Sequence, residues 1–207
     1  MKTIKKNYLS NLNKNQVEAI TNPDGPCLIV AGAGSGKTKV LTSRAVHIIK
    51  EKKAWPNQIL CVTFTNKAAR EMQNRISSSL NEKTSSLPWL GTFHSVCAKI
   101  LRRHAEAVGL NSRFTIIDTE DQLRLIKNIC KAENIDVKKI SPKFVLSFIN
   151  QWKNKGLLPK NVVAKKSVPL EKSILNVYKF YQERLKILNS CDFGDLILLC
   201  VTMFEKN

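Results

Sequence analysis

Short apolar runs alternate with amphipathic stretches in the first half of the chain. Residues 26–31 (PCLIVA) and 58–65 (QILCVTFT) have the length and composition typical of buried strands. Helical periodicity covers about 37–52 and 66–80. The apolar face of the first of these helices comprises Val40, Leu41, Ala45, Ile48 and Ile49. This strand–helix–strand–helix order predicts an α/β fold with a parallel sheet.

The second half of the pattern is mostly helical. A third short strand, 87–93, is predicted to lead into a helix that ends near Val108. Further helices are predicted from Asp118 or Thr119 to about Asn134, from Pro142 to Gly156, from about 170 to 188, and from Asp192 onward. The stretch 153–166 is basic and linker-like. Because strands and helices no longer alternate, this part is predicted to be a separate helical domain.

The charge of the chain indicates a polyanionic partner. Lys and Arg number 34 against 16 Asp and Glu, a net charge of +18. Nucleic acid is the first expectation and an anionic membrane surface the second, while a solvated lysine-rich surface is the plain alternative. No apolar run reaches the length of a membrane span, and the N-terminus lacks the apolar segment of a secretory signal. We therefore expect a cytoplasmic protein.

The cysteines give no sign of a structural metal site. They are Cys27, Cys61, Cys97, Cys130, Cys191 and Cys200. None forms a C-x-x-C pair, and no histidine follows at zinc-finger spacing. The first four lie in apolar patterns, so we expect them to be small buried hydrophobic residues in a reducing compartment.

A glycine-rich loop between the first strand and the first long helix is the clearest chemical motif. Its sequence is AGAGSGKT, and it comprises Ala31, Gly32, Ala33, Gly34, Ser35, Gly36, Lys37 and Thr38. Backbone N–H groups in such a turn, backed by a helix N-terminus, bind phosphates. Lys37 would reach the β- and γ-phosphates, and the Thr38 hydroxyl would bind Mg²⁺. The strict pattern G-x-x-x-x-G-K-[ST] is not met, because Ala31 takes the place of its first glycine.

Five motifs occur in an order that resembles one helicase family. They are LNKNQ (12–16), AGAGSGKT (31–38), TFTNKAAREM (63–72), GTFHS (91–95) and DFGDLI (192–197). Together they are similar to superfamily 1 DNA helicases of the UvrD/Rep/PcrA type, in which alanine at the position of Ala31 is usual. The resemblance implies an ATP-dependent 3′→5′ DNA helicase of DNA repair or replication. It also implies a P-loop NTPase fold: a RecA-like parallel sheet, incomplete here, with an inserted all-helical subdomain.

The resemblance assigns the nucleotide to the first part of the chain. Gln16 would hydrogen-bond the adenine edge and so select ATP, although taken alone it is typical of a solvated helix residue. Lys37 and Thr38 would be the catalytic residues, with Mg²⁺ held through ATP. Many relatives have arginine directly after GKT. Lys39 keeps that charge but lacks the planar guanidinium, so a modest difference in nucleotide affinity is expected.

The resemblance also assigns residues to DNA, as single strands and single-strand/duplex junctions. These residues are Thr63, Phe64, Asn66, Thr92 and His94, with Phe93 in the second DNA-facing turn. The first three follow a predicted strand, at the sheet edge where ligands of open α/β sheets bind. Phe64 would stack on a base and neighbouring hydroxyls would reach phosphates. A core role for Phe64 and a surface or capping role for His94 are the alternatives.

Three predicted domains follow from the motifs. Residues 1–109 would be the first part of the ATP-binding domain, 110–190 the helical subdomain, and 191–207 the return to the first domain. Such ATPases need a carboxylate pair, an Asp that binds Mg²⁺ and a Glu that orients the attacking water. The segment 114–122 offers a similar pattern, with Asp118 after an apolar run and Glu120 and Asp121 just after it. The favoured interpretation is a helix start capped by Asp118 or Thr119, since acidic residues suit the first turn of a helix.

The sequence lacks the family's Asp-Glu-x-Gln-Asp segment and everything beyond it. We therefore expect this chain alone to bind ATP without efficient hydrolysis or unwinding. The alternative is a truncated, non-hydrolysing nucleic-acid-binding fragment. A small P-loop kinase is a third possibility, but it accounts neither for the charge of +18 nor for TFTNKAAREM.

Overall fold

The computed structural model describes residues 7–22, 25–80, 87–135, 140–163 and 169–206. The α-helices of this part are α1 (Lys14–Thr21), α2 (Lys37–Lys50), α3 (Asn66–Leu80), α4 (Phe93–Arg103), α5 (Thr119–Ala132), α6 (Pro142–Asn154), α7 (Pro169–Ile187) and α8 (Phe193–Phe204). The strands are β1 (Leu60–Thr63), β2 (Trp89–Thr92), β3 (Thr115–Ile116) and β4 (Ser190–Cys191). Short 3₁₀ helices lie at Asn7–Leu9, Pro56–Gln58, Ala105–Val108 and Pro159–Asn161.

The chain forms two compact units, Met1–Val96 and Cys97–Asn207. In the first unit, β1 and β2 are parallel and pair from Leu60 with Trp89 to Thr63 with Thr92. Helices α2 and α3 pack together against this sheet. The core comprises Ala45, Val46, Cys61, Met72, Ile76, Leu87 and Leu90. A mixed helix–strand fold with small parallel sheets is thus confirmed, and the domain boundaries at 109 and 190 stay a prediction.

The second unit is mainly helical. Its larger core is formed by α5, α6 and α7 and includes Ile126, Val145, Ile149, Tyr178 and Tyr181, which are fully buried. A smaller core joins α4 and α8 around Phe114 and Leu196. Beside it, β3 and β4 form a parallel pair that the sequence analysis did not predict. Two-residue strands are too short to give a period-two signal.

The predicted helix starts agree with the structure because their caps are local. The Asn13 side chain accepts the N–H of Gln16 and begins α1. The Asp118 carboxylate accepts the N–H of Asp121 at 2.9 Å and begins α5. Ser141 begins α6 in the same way, with Pro142 at its first position. The capping interpretation of Asp118 is therefore confirmed.

Several predictions of burial and strand structure were wrong. Residues 26–31 are not a strand, and Leu28 and Val30 are 90% and 88% exposed, because no described strand pairs with this segment. Cys27, which lies in it, is exposed rather than buried. Leu41 is also exposed, since the buried face of α2 is centred on Val40, Ala45 and Val46.

The linker-like stretch also begins differently from the prediction. Lys153 belongs to α6 and is only 4% exposed, while 164–166 lie outside the described residues. Within the described ranges, no helix has both the length and the apolar character needed to cross a membrane.

Candidate nucleotide and nucleic-acid site

The glycine-rich loop turns sharply before α2. Gly34 and Gly36 have φ angles of 76° and 83°, in the left-handed region that side chains disfavour. The Ser35 hydroxyl donates to the Gly32 carbonyl at 2.7 Å and closes the turn. Gly36 caps α2 without a side-chain hydrogen bond, so the first N–H groups of the helix face the loop. This arrangement suits an anion.

Lys37 lies across the loop and donates to two of its carbonyls. Its Nζ is 2.9 Å from the Ala31 oxygen and 2.6 Å from the Gly32 oxygen. The side chain is exposed, and so is Thr38 at the second position of α2. A phosphate group entering the loop would meet this ammonium group directly. The residues present therefore fit a Mg²⁺–triphosphate, with Lys37 as the cation and Thr38 as the hydroxyl ligand.

Gln16 is joined to the phosphate loop by a hydrogen bond. Its Nε2 donates to the Ser35 carbonyl at 3.0 Å, and its Oε1 accepts the Asn13 N–H at 3.0 Å. Each amide atom keeps one further hydrogen-bonding position, because the amide has two donors and two lone pairs. A Cβ at Gly36 would lie 3.1 Å from Gln16 Nε2, so the end of that side chain would have to shift slightly, and the positive φ angle is the main reason for glycine here.

Lys39, the third residue of α2, is held by the segment before α1. Its Nζ donates to the Asn11 carbonyl at 2.9 Å. Lys39 and Arg75 both line a polar cavity of about 650 Å³ beside α2, together with Ser10, Asn11 and Thr42. This volume lies in the range of small-molecule sites.

The proposed DNA residues cluster at the carboxyl ends of β1 and β2. Thr63 and Thr92 are paired in register as the last residues of their strands. One residue beyond them, the rings of Phe64 and Phe93 lie with centroids 5.4 Å apart, tilted by 45°. Phe64 is 89% exposed and Phe93 38%, so the core alternative for Phe64 was wrong. The exposed rings form a surface on which a planar base can stack.

The remaining polar residues of this edge begin the two following helices. Asn66 is the first residue of α3 and His94 the second of α4, and both are exposed. Thr92 Oγ1 accepts the Ser95 N–H at 3.2 Å, and Thr65 caps α3 through the Ala68 N–H. Thr65 carries one of the hydroxyls next to Phe64 that were expected to contact phosphates. In the structure this hydroxyl also caps a helix.

Sequence reasoning gave no ring partner for Phe64 and missed a buried charge cluster in the second unit. Phe93 could have been paired with Phe64, since each follows the last residue of a strand. Lys153 was hidden in a basic stretch, although it lies four residues after the buried Ile149 and so shares its helix face.

The cluster of Lys153 involves the DFGDLI motif. Lys153 Nζ is 2.6 Å from Asp192 Oδ2 and 2.7 Å from Asp195 Oδ1, and the three side chains are at most 1% exposed. Tyr181 donates to Asp192 at 2.8 Å. Burial raises the pKa of Asp195, and the neighbouring Lys153 opposes that rise. Burial also raises the pKa of Tyr181, reinforced by Asp192. This motif therefore joins α6, α7 and α8.

The cysteines are free thiols, and one pair is in contact. The Cys200 thiol donates to the Cys97 carbonyl at 3.5 Å. A hydrogen bond from Cys200 lowers the pKa of the Cys97 thiol to about 7, whereas burial raises the pKa of Cys61 and Cys130. No group of three or more His, Cys, Asp or Glu side chains in the described ranges is arranged to hold a metal ion.

Comparison of the sequence with known proteins identifies the family of the chain. Residues 12–207 match the family model of the UvrD/REP helicase N-terminal domain. The chain is 47% identical over 203 residues to a probable DNA helicase II homolog of Rickettsia conorii, which covers 97% of this chain and 31% of that protein. It is 46% identical over 205 residues to DNA helicase II of Rickettsia typhi, with coverage of 97% and 31%.

A third relative is the ATP-dependent DNA helicase PcrA of Bacillus subtilis. It is 43% identical over 206 residues, which covers 100% of this chain and 28% of that helicase. The chain thus spans about three tenths of the length of these relatives. Because the family model covers nearly all of it, the chain belongs to the UvrD/REP helicase N-terminal domain family.

Proposed function

We propose that this chain is the ATP- and single-stranded-DNA-binding N-terminal region of a 3′→5′ DNA helicase that acts in DNA repair or replication. Its first unit would contribute the P-loop half of a RecA-like sheet. The observation that carries the proposal is the hydrogen bond from Gln16 to Ser35 of the phosphate loop. It holds an amide, which can recognise adenine, next to a loop that suits phosphates.

The nucleotide half rests on the loop residues. The backbone N–H groups of Gly34, Gly36 and the start of α2 would hold the phosphates, and Lys37 would exchange its carbonyl partners for phosphate oxygens. Thr38 would bind the Mg²⁺ that accompanies ATP and neutralises developing charge. Gln16 would use its remaining donor and acceptor for the adenine edge, which favours ATP over GTP.

The DNA half rests on the paired rings. A base would stack on Phe64, whose ring is in contact with that of Phe93. Thr63, Thr92, Asn66 and His94 surround the rings with groups that can donate to phosphate oxygens. The 3′→5′ polarity, the binding of single-strand/duplex junctions and the role in repair or replication are proposed on the basis of the family alone.

The stacking role predicts a loss of affinity for single-stranded DNA. Phe64→Ala removes a base-stacking contact worth about 1–3 kcal/mol, so affinity should fall about 5- to 150-fold. An oligonucleotide that carries 2-aminopurine reports stacking directly through its fluorescence. Phe204→Ala, which removes a 63% exposed ring from the end of α8, is the matched control. Equal effects of the two substitutions on affinity and on fluorescence would disprove the role of Phe64.

ATP turnover tests whether this chain hydrolyses ATP by itself. The sequence contains no Asp-Glu-x-Gln-Asp segment, and Asp118 is a helix cap. We therefore expect the 207-residue chain to bind ATP but to hydrolyse it at background rate, with or without DNA. DNA-stimulated turnover well above background would contradict this expectation.

A further inference from the structure

A cationic surface lies in the second unit, where α4 ends. It borders a cavity of about 620 Å³ with a predominantly polar lining. The side chains that matter chemically are Arg102, Arg103, His104, Glu106, Asn111 and Ser112. All six residues are exposed. The Phe64–Phe93 surface belongs to the first unit, so this cavity is a separate feature.

Arg102 is oriented by a ring packed beneath it. Its guanidinium carbon lies 5.1 Å from the centroid of Phe114, which is 2% exposed. This cation–π contact holds the guanidinium over the ring, and the guanidinium N–H groups can still donate hydrogen bonds. A planar guanidinium fork matches two oxygens of a phosphate. The Arg102 side chain is therefore already arranged for an oxyanion.

The wall of the cavity is held by backbone hydrogen bonds. The Asn111 N–H donates to Asn189 Oδ1 at 2.7 Å, and Asn111 Oδ1 accepts the Arg113 N–H at 3.0 Å. Gly109 has a φ of 73°, and a Cβ there would lie 2.9 Å from Lys186 Nζ. The Lys186 side chain therefore packs over the backbone of Gly109, which precedes the cavity-lining Leu110 in the chain.

The balance of charge selects the ligand. Two arginines line the cavity, against one carboxylate, that of Glu106. This excess repels metal cations and favours phosphate. Among the described residues that line the cavity, the one aromatic ring is the imidazole of His104, and the strongest donors to a phosphate oxygen are the two guanidinium groups. Contacts of this type bind the backbone of a nucleic acid without reading its sequence.

We propose that Arg102 and Arg103 form a second nucleic-acid contact, which binds backbone phosphates at the end of α4. The proposal goes beyond the stacking surface of the first unit. Glu106 weakens this contact by repelling phosphate and so limits how tightly the cavity holds DNA. Free phosphate compounds share this chemistry, and the experiment below separates them from DNA.

The test is the salt dependence of DNA binding by the full chain. Fluorescence anisotropy would follow a labelled poly-dT strand between about 50 and 200 mM salt. Each lost phosphate contact lowers the slope of log affinity against log salt by about 0.7 for single strands, so Arg102→Ala/Arg103→Ala should reduce it by about 1.4. The matched control, Arg124→Ala/Lys127→Ala on α5, removes the same charge from another exposed surface. It should change the slope by less than half as much.

A second variant tests the same cavity in the opposite direction. Glu106→Gln removes the one carboxylate that lines the cavity, so it should strengthen DNA binding at low salt severalfold. An unchanged slope in the double arginine variant, or weaker binding by Glu106→Gln, would overturn the proposal. Saturable binding of inorganic phosphate, lost in the double variant while DNA binding is kept, would assign the cavity to free phosphate and also overturn it.

The two sites fail in distinguishable ways. Phe64→Ala should lower affinity at every salt concentration without changing the slope, because stacking releases no counterions. The arginine variant should change the slope and keep the 2-aminopurine signal. If only the result for Phe64→Ala fails, the proposed function is contradicted. If only the result for the double arginine variant fails, the phosphate contact at the cavity is contradicted.

Discussion

At the scale of single residues, hydrogen bonds within the protein hold the proposed nucleotide site together. Gln16 uses one donor and one acceptor within the protein and keeps one of each for adenine. Lys37 is bonded to Ala31 and Gly32, which a phosphate would replace. The motif alone singled out these residues as candidates. Their present partners could not be predicted, because Ser35 approaches Gln16 only through the tertiary fold.

The Cys97 thiol provides a residue-scale prediction. The hydrogen bond from Cys200 lowers its pKa to about 7, so its alkylation by iodoacetamide should have a midpoint near pH 7. Cys200→Ala removes the donor and should move the midpoint up towards the ordinary value of 9.0, whereas Cys200→Ser keeps a donor and should move it less. Peptide mass spectrometry after timed labelling measures both. A midpoint that is the same in all three proteins would contradict the assigned hydrogen bond.

At the scale of elements, capping explains why helices were predicted better than strands. The range 66–80 agrees with α3 at both ends, and Asp192 caps α8 through its own side chain. These signals are local. A strand needs a partner strand for its backbone groups, so the apolar run at 26–31 could not settle its own structure. The neighbouring run 58–65 does form β1, over Leu60–Thr63, because β2 pairs with it.

The buried ion cluster predicts unequal costs for its members. Lys153→Met leaves two buried carboxylates without their cation and should destabilise the protein by about 3–5 kcal/mol. Asp192→Asn and Asp195→Asn should each cost less than Lys153→Met, because each leaves Lys153 paired with the other carboxylate. Urea denaturation followed by circular dichroism gives the three values. A cost for either asparagine variant as large as that of Lys153→Met would show that the cluster does not act as described.

The same cluster gives a pH dependence with a definite sign. Burial raises the pKa of Asp195 above its unfolded value, so the folded state binds this proton more tightly than the unfolded state does. The contribution of Asp195 to stability is therefore present at low pH and is lost as the pH rises through the folded pKa. Asp195→Asn should remove this part of the pH dependence. Parallel stability curves for the variant and the parent chain would contradict the prediction.

At the scale of the whole molecule, charge and motif order predicted the family and a polyanionic partner, and packing gave the two units. The net charge of +18 pointed to a polyanion, and five ordered motifs pointed to one family, which the comparison confirms. The division between Val96 and Cys97 was not predicted, because it falls within α4 and no change in sequence pattern marks it. Contacts between distant residues, rather than local propensity, define such a unit.

The central claim is that the AGAGSGKT loop of this chain binds the phosphates of ATP through Lys37. The most direct test is titration of the full chain with a fluorescent ATP analogue in the presence of Mg²⁺. Lys37→Ala removes a charged hydrogen-bond donor worth about 1.5–3 kcal/mol, so affinity should fall about 10- to 150-fold. Lys127→Ala, which removes the same charge from α5, should bind as the parent chain does. Saturable binding that Lys37→Ala leaves unchanged would contradict the account.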